Sequence, residues 1–158
     1  MANVMRYRGG DTRPQVFKTN PANPINEGDL LYKDSDGTVK PASAMGSTGT
    51  QATFAPLFAG VALWRSGLQP GEWTPTRTMD VGYVLVATSG DFEFDCPKQQ
   101  WTPGQLVGVA VGASGPKNQQ VDTTAASASA IGFAAPGVVS LKNPASSIVV
   151  RITSAIMG

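Results

Sequence analysis

The chain has 158 residues, enough for one hydrophobic core. Twelve basic against eleven acidic residues leave a net charge of +1, which disfavours a protein that wraps duplex DNA or coats an acidic membrane. A single cysteine, Cys96, excludes an internal disulfide, and the absence of histidine removes the commonest general base and metal ligand at neutral pH.

The N-terminus, MANVMRYRGGD, has basic residues with no apolar run behind them, and nowhere do eighteen apolar residues run together. The expectation is a soluble chain without a common secretion signal. Residues 1–24 read as an extended arm: Arg6, Arg8, Arg13 and Lys18 stand against Asp11 alone, with a Gly-Gly break, three prolines and little apolar periodicity. Such a segment can add a strand to a neighbour or remain a frayed end. A single β domain over 25–158 follows it.

Residues 26–43, NEGDLLYKDSDGTVKPAS, hold Glu27, Asp29, Asp34 and Asp36. A calcium loop of the EF-hand type needs a Glu at its twelfth position, and counting from Asp34 or Asp29 reaches Met45 or Lys40 instead. Pro24 and Pro41 also stand where the flanking helices would run. The pattern predicts a β-hairpin: Leu30 to Tyr32 out, a turn over Asp34 to Gly37, and a return from Thr38.

Eighteen glycines and twelve prolines are spread along the chain, which bars any long helix. Strands are predicted at LFAGVALW (57–64), YVLVAT (83–88), QLVGVAV (105–111) and SSIVVRITS (146–154). Between them GDFEFDCP (90–97) alternates acid and aromatic, placing Asp91, Glu93 and Asp95 on one strand face and Phe92 and Phe94 on the other. A carboxylate pair could serve glycoside hydrolysis, but an amphipathic strand with its acidic side outward accounts for the pattern more simply. Cys96 has no histidine to activate it and reads as a small buried hydrophobe. Trp73 and Trp101 each open a Trp-Thr-Pro turn and Trp64 ends a strand; they can seal a core or an interface, or stack on sugar rings. The Ser-rich TTAASASA (123–130) has no apolar stripe and reads as loop. The fold class is therefore all-β: a small antiparallel sandwich or barrel with short hairpins and little helix.

One pattern recurs. Gly28-Asp29-Leu30-Leu31 and Gly104-Gln105-Leu106-Val107 each open a strand, followed by a Gly-containing turn, a returning Val39 or Val121, a Ser/Thr/Ala-rich loop and a closing strand with Gly60 or Gly132. The first and closing glycines are 32 residues apart in one copy and 28 in the other, which suits a duplicated unit and equally suits reuse of common turn chemistry.

With its irregular basic N-terminus, then INEGDLLYKDSDGTVKPAS, FAGVAL, VGYVLVATSGDFEFD and PGQLVGVAV, the chain from about Gly28 to Ile152 resembles the head decoration, or cement, proteins of tailed bacteriophages. The resemblance implies a β-rich, non-enzymatic protein without a cofactor, commonly a homotrimer. It would sit on the outer capsid surface of the virion, be assembled in the host cytoplasm, and bridge subunits of the major capsid protein. It implies no nucleic-acid or membrane partner. On this likeness Arg6, Tyr7, Arg8, Arg13, Val16 and Phe17 match the region that touches the capsid, and the loop 123–136 has no counterpart. The alternative is a carbohydrate-binding or adhesive module of a phage or bacterial surface, using Trp64, Trp73 and Trp101.

Overall fold

The computed structural model describes residues 6–66, 78–79, 82–135 and 144–156. In chain order its strands are β1 Arg6–Gly9, β2 Pro14–Lys18, β3 Leu30–Lys33, β4 Val39–Pro41, β5 Phe58–Ala62, β6 Arg65–Ser66, β7 Thr78–Met79, β8 Tyr83–Ala87, β9 Ser89–Gln99, β10 Leu106–Gly112, β11 Gly115–Thr123, β12 Gly132–Ala134 and β13 Ala145–Thr153. Helix is limited to single turns at Ala42–Met45, Gln51–Phe54, Ala55–Leu57 and Ser127–Ser129. Every apolar run predicted as strand contains one, because each is short, carries β-branched or aromatic residues and is bounded by turn residues. No helix among the described residues is long and apolar enough to cross a membrane.

Two five-stranded units carry the fold. The first has the order β2-β8-β5-β3-β4, with a parallel bridge between Thr19 and Val39 closing its ends. In the second, β9 pairs with both β13 and β11, so β9-β13-β12-β10-β11 forms a ring, and β1 is added outside it on β9. A short parallel ladder, β6 with β7, accompanies the first unit.

The two units repeat one another pair by pair. Leu31 lies opposite Gly60 in the first, and Val107 opposite Gly132 in the second. The amides of Gly28 and Gly104 donate to the carbonyls of Ala62 and Ala134, each at 2.8–2.9 Å, and those alanines donate back to Asp29 and Gln105. The turn before each first strand is closed alike: Asn26 N–H donates to the Asp29 carboxylate at 2.8 Å, and Thr102 N–H to the Gln105 side-chain oxygen at 3.0 Å. Glycine is required at the matched closing positions, since a Cβ would stand 2.0 Å from the Ala87 carbonyl oxygen at Gly60 and 2.1 Å from that of Arg151 at Gly132. The recurrence in the sequence is thus a structural repeat, and it extends beyond the hairpin to β2 with β8 and β9 with β13.

Ile25, Leu31, Val39, Ala59, Ala62, Val84 and Val86 fill the first barrel, with Phe17 against them. At the matching positions of the second barrel, Trp101, Val107, Val121, Ile131, Ala134, Ile148, Val150 and Phe94 belong to a larger cluster. That cluster also includes Leu30, Phe58, Val61 and Ala87 from the outer face of the first barrel and Phe54 from the helical turn Gln51–Phe54, so the two barrels share a core. The seam carries polar ties as well. The Gln51 amide donates to the carbonyls of Val109 (3.0 Å) and Thr123 (3.1 Å), and the chain returns at its end to let Ala155 N–H donate to Phe58 C=O.

The N-terminal segment is extended, but it is not a separate arm. Its β1 pairs with β9, Arg6 opposite Glu93, and its β2 pairs along its whole length with β8, Phe17 opposite Val84. The expectation of an arm over residues 1–24 ahead of the β domain is corrected for the described part of it, where β1 and β2 are strands of that domain. Five residues of PQVFK are too few to display a period, yet alternation sends Phe17 inward and leaves Val16 and Lys18 outside.

Candidate functional site

The two N-terminal strands and β8 bring most of the candidate residues into describable surroundings. Tyr7 is 46% exposed; its ring centroid lies 5.7 Å from that of Phe92, and its hydroxyl donates to Gly10 C=O at 2.6 Å. Arg8 is tied down across the strands, its Nε donating to the Glu93 carboxylate at 2.9 Å. Arg13 pairs with Asp11, with both side chains about three-quarters exposed, a contact worth well under about 1 kcal/mol. Its backbone is left-handed at φ 40°, held by its N–H on the Asp11 carboxylate and its C=O on the Thr88 hydroxyl.

Val16 and Tyr83 are 56% and 43% exposed. In the β2–β8 register Val16 faces Leu85 and Lys18 faces Tyr83, so these side chains form one outward strip. Phe17 is turned away from it and, partly buried, packs against the core of the first barrel. Of the six residues that the capsid resemblance selects, Tyr7 and Val16 present apolar surface. Arg8 and Arg13 already hold carboxylates.

The tryptophans separate. Trp101 is 1% exposed within the second barrel, which removes it as a glycan contact. Trp64 is half-buried, and Trp73 lies outside the described residues. A tryptophan ahead of a turn reads alike whether it faces out or in; its match with Ile25 of the other barrel is the signal that settles it.

The hairpin is observed, Leu31 opposite Pro41 and Lys33 opposite Val39. Its acids do not converge. Asp34 and Asp36 both engage Lys40, the latter at 3.2 Å, and Asp36 also accepts from the Thr38 hydroxyl and amide. The Thr38 bonds foremost, with Lys40, hold Asp36 down at about 2. Asp34 is likewise lowered, chiefly by Lys40. Asp29 points the other way and is fully buried, accepting from Asn26 N–H and, at 2.9 Å, from the Gln119 amide of the second barrel. Burial outweighs those bonds and pushes its carboxyl up to about 6. Sequence reasoning missed this residue, although its alignment with Gln105, a neutral side chain closing the same turn, marks the position as structural.

On β9 the alternation is as expected, Phe92, Phe94 and Cys96 being buried, but Asp91, Glu93 and Asp95 on the other face are half-buried rather than open to solvent. Two of the acids are held in ion pairs. Asp91 takes both nitrogens of Arg151 at 2.8 and 2.9 Å, with the Arg151 guanidinium 6.0 Å from the Phe133 ring centroid, and Glu93 takes Arg8. The Cys96 thiol is buried beside Ala145 C=O, and burial raises its pKa, opposite to what a nucleophile requires. Among the described residues no three His, Cys, Asp or Glu side chains are grouped so as to hold a metal ion. No family model matches the chain, and no curated protein is found similar to it.

Proposed function

We propose that the chain is a structural binding protein that attaches to the outside of a phage capsid and stabilises the shell by bridging subunits of the major capsid protein, acting as a homotrimer without catalysis. The observation that carries this reading is the outward apolar surface of β2 and β8, where Val16 and Tyr83 are each more than two-fifths exposed on adjacent strands of one sheet. Singly exposed apolar residues are ordinary, but a strip of them on adjacent strands is the kind of surface proteins reserve for a partner. Repetition of the fold supports it further. Two barrels sharing one core make a stiff block, and weak contacts suffice when an oligomer meets a dense symmetric array. The burial of Trp101 leaves the carbohydrate alternative with less support.

Co-pelleting with shells that lack decoration tests the reading. The full chain should pellet with them, and Val16→Ala combined with Tyr83→Ala should weaken pelleting while circular dichroism stays unchanged. Failure of the full chain to pellet at low salt would refute it.

A further inference from the structure

The internal repeat points to an open strand position on the first barrel. By register, Pro14, Val16 and Lys18 of β2 occupy the places that Asp91, Glu93 and Asp95 hold on β9: Pro14 and Asp91 lie opposite Ala87 and Arg151, Val16 and Glu93 opposite Leu85 and Val149. On β9, the side away from β13 receives an added antiparallel strand, β1. That strand suits its seat, since the acidic β9 takes the arginine-bearing β1 and Arg8 pairs with Glu93. On β2, the side away from β8 has among the described residues only the single bridge from Thr19 to Val39. Thr19 N–H donates to Gly82 C=O, so alternation directs the backbone groups of Gln15 and Phe17 to β8 and those of Val16 away from it.

We propose that this edge of β2 receives an extended segment of a partner protein, antiparallel to β2, carrying a carboxylate toward Lys18 and an apolar side chain against Val16 and Tyr83. The charge beside the seat is inverted relative to β9: where β9 has Asp95, just past the β1 pairing and opposite Gln120 of β11, β2 has Lys18, which is exposed and has no ion pair among the described residues. The apolar side chain has its surface in Val16 and Tyr83, on the same outward strip. Main-chain pairing supplies attachment and the side chains supply choice. The inference deepens the capsid-binding reading by naming the contact through which the shell protein would be held.

The test uses the full chain with two blocked hexapeptides, TETVTT and TKTVTT, which set the charged residue and the valine two apart on one strand face, and follows amide hydrogen exchange by nuclear magnetic resonance. The glutamate peptide should slow exchange of the Val16 amide and bind at least about tenfold more tightly than the lysine peptide. Lys18→Glu, which leaves the backbone intact, should reverse that preference. No slowing at Val16 with about 1 mM glutamate peptide, or a preference indifferent to Lys18→Glu, overturns the proposal. Self-association of the chain without peptide, abolished by Lys18→Glu, would make a second copy the occupant and overturn the choice of partner. Shell pelleting separates the two readings. Equal pelleting of wild type and Lys18→Glu removes the edge and keeps the capsid, whereas peptide binding without shell binding keeps the edge and removes the capsid.

Discussion

Replacing Asp29 by Asn probes a buried carboxyl at the seam between the barrels. Its pKa stands at about 6 in the folded protein against an ordinary 3.8, and the side chain is fully buried. The folded value is raised above the unfolded one, so the associated stability is fully present below about 3.8 and is lost as pH rises through about 6. A shift of roughly two pH units corresponds to about 3 kcal/mol. Asn keeps one oxygen for Asn26 N–H and cannot ionise, but its NH2 replaces the oxygen that accepts from the Gln119 amide, and that lost hydrogen bond costs about 1 kcal/mol. Near pH 4 the variant should therefore match wild type or fall about 1 kcal/mol below it, and at pH 7 it should exceed it by about 2 kcal/mol. Urea unfolding of both proteins at intervals from pH 4 to 8 measures this directly. Taking the difference cancels titration of the lowered carboxylates Asp34 and Asp36, which both proteins share. Two stability curves that stay parallel across that range would show that Asp29 titrates normally and that the burial argument is wrong.

Gly60→Ala and Gly132→Ala should each cost several kcal/mol or prevent folding, because the new Cβ meets a carbonyl oxygen at 2.0 or 2.1 Å; Gly37→Ala, with nothing within 4 Å but φ at 84°, should cost about 1 kcal/mol, all read by thermal melting. Deleting residues 1–9 should leave a cooperatively folding protein, since it removes only the outer strand β1, while deleting 1–20 takes away β2 and Phe17 and should abolish the cooperative transition in circular dichroism. Equal melting of the two truncated forms would show that β2 contributes nothing to the barrel.

Alternation and turn chemistry are local, and what depends on them was readable in the chain itself. GDFEFDCP becomes a strand with Phe92 and Phe94 inside and its acids on the other face, and Asp34 to Gly37 becomes a turn. The all-β class followed because short apolar runs of period-two character lie between frequent glycines and prolines, and the segments without them carry no helical apolar stripe. The recurrence of Gly-x-Leu-Leu/Val was visible too, but whether it was common turn grammar or a repeated unit depended on which strands paired. Only the tertiary structure decided that, through Leu31 with Gly60 and Val107 with Gly132. It likewise decided the fate of the N-terminal segment. PQVFK is too short to carry a period, and whether its hydrogen-bonding groups meet β8 of the same chain or a neighbour's edge is a long-range matter of barrel closure. The charge of Asp29 and the burial of Trp101 were hidden for the same reason: each side chain is set against residues far away in sequence, Asp29 against Gln119 and Trp101 against the core of the second barrel, and no local pattern encodes a distant neighbour.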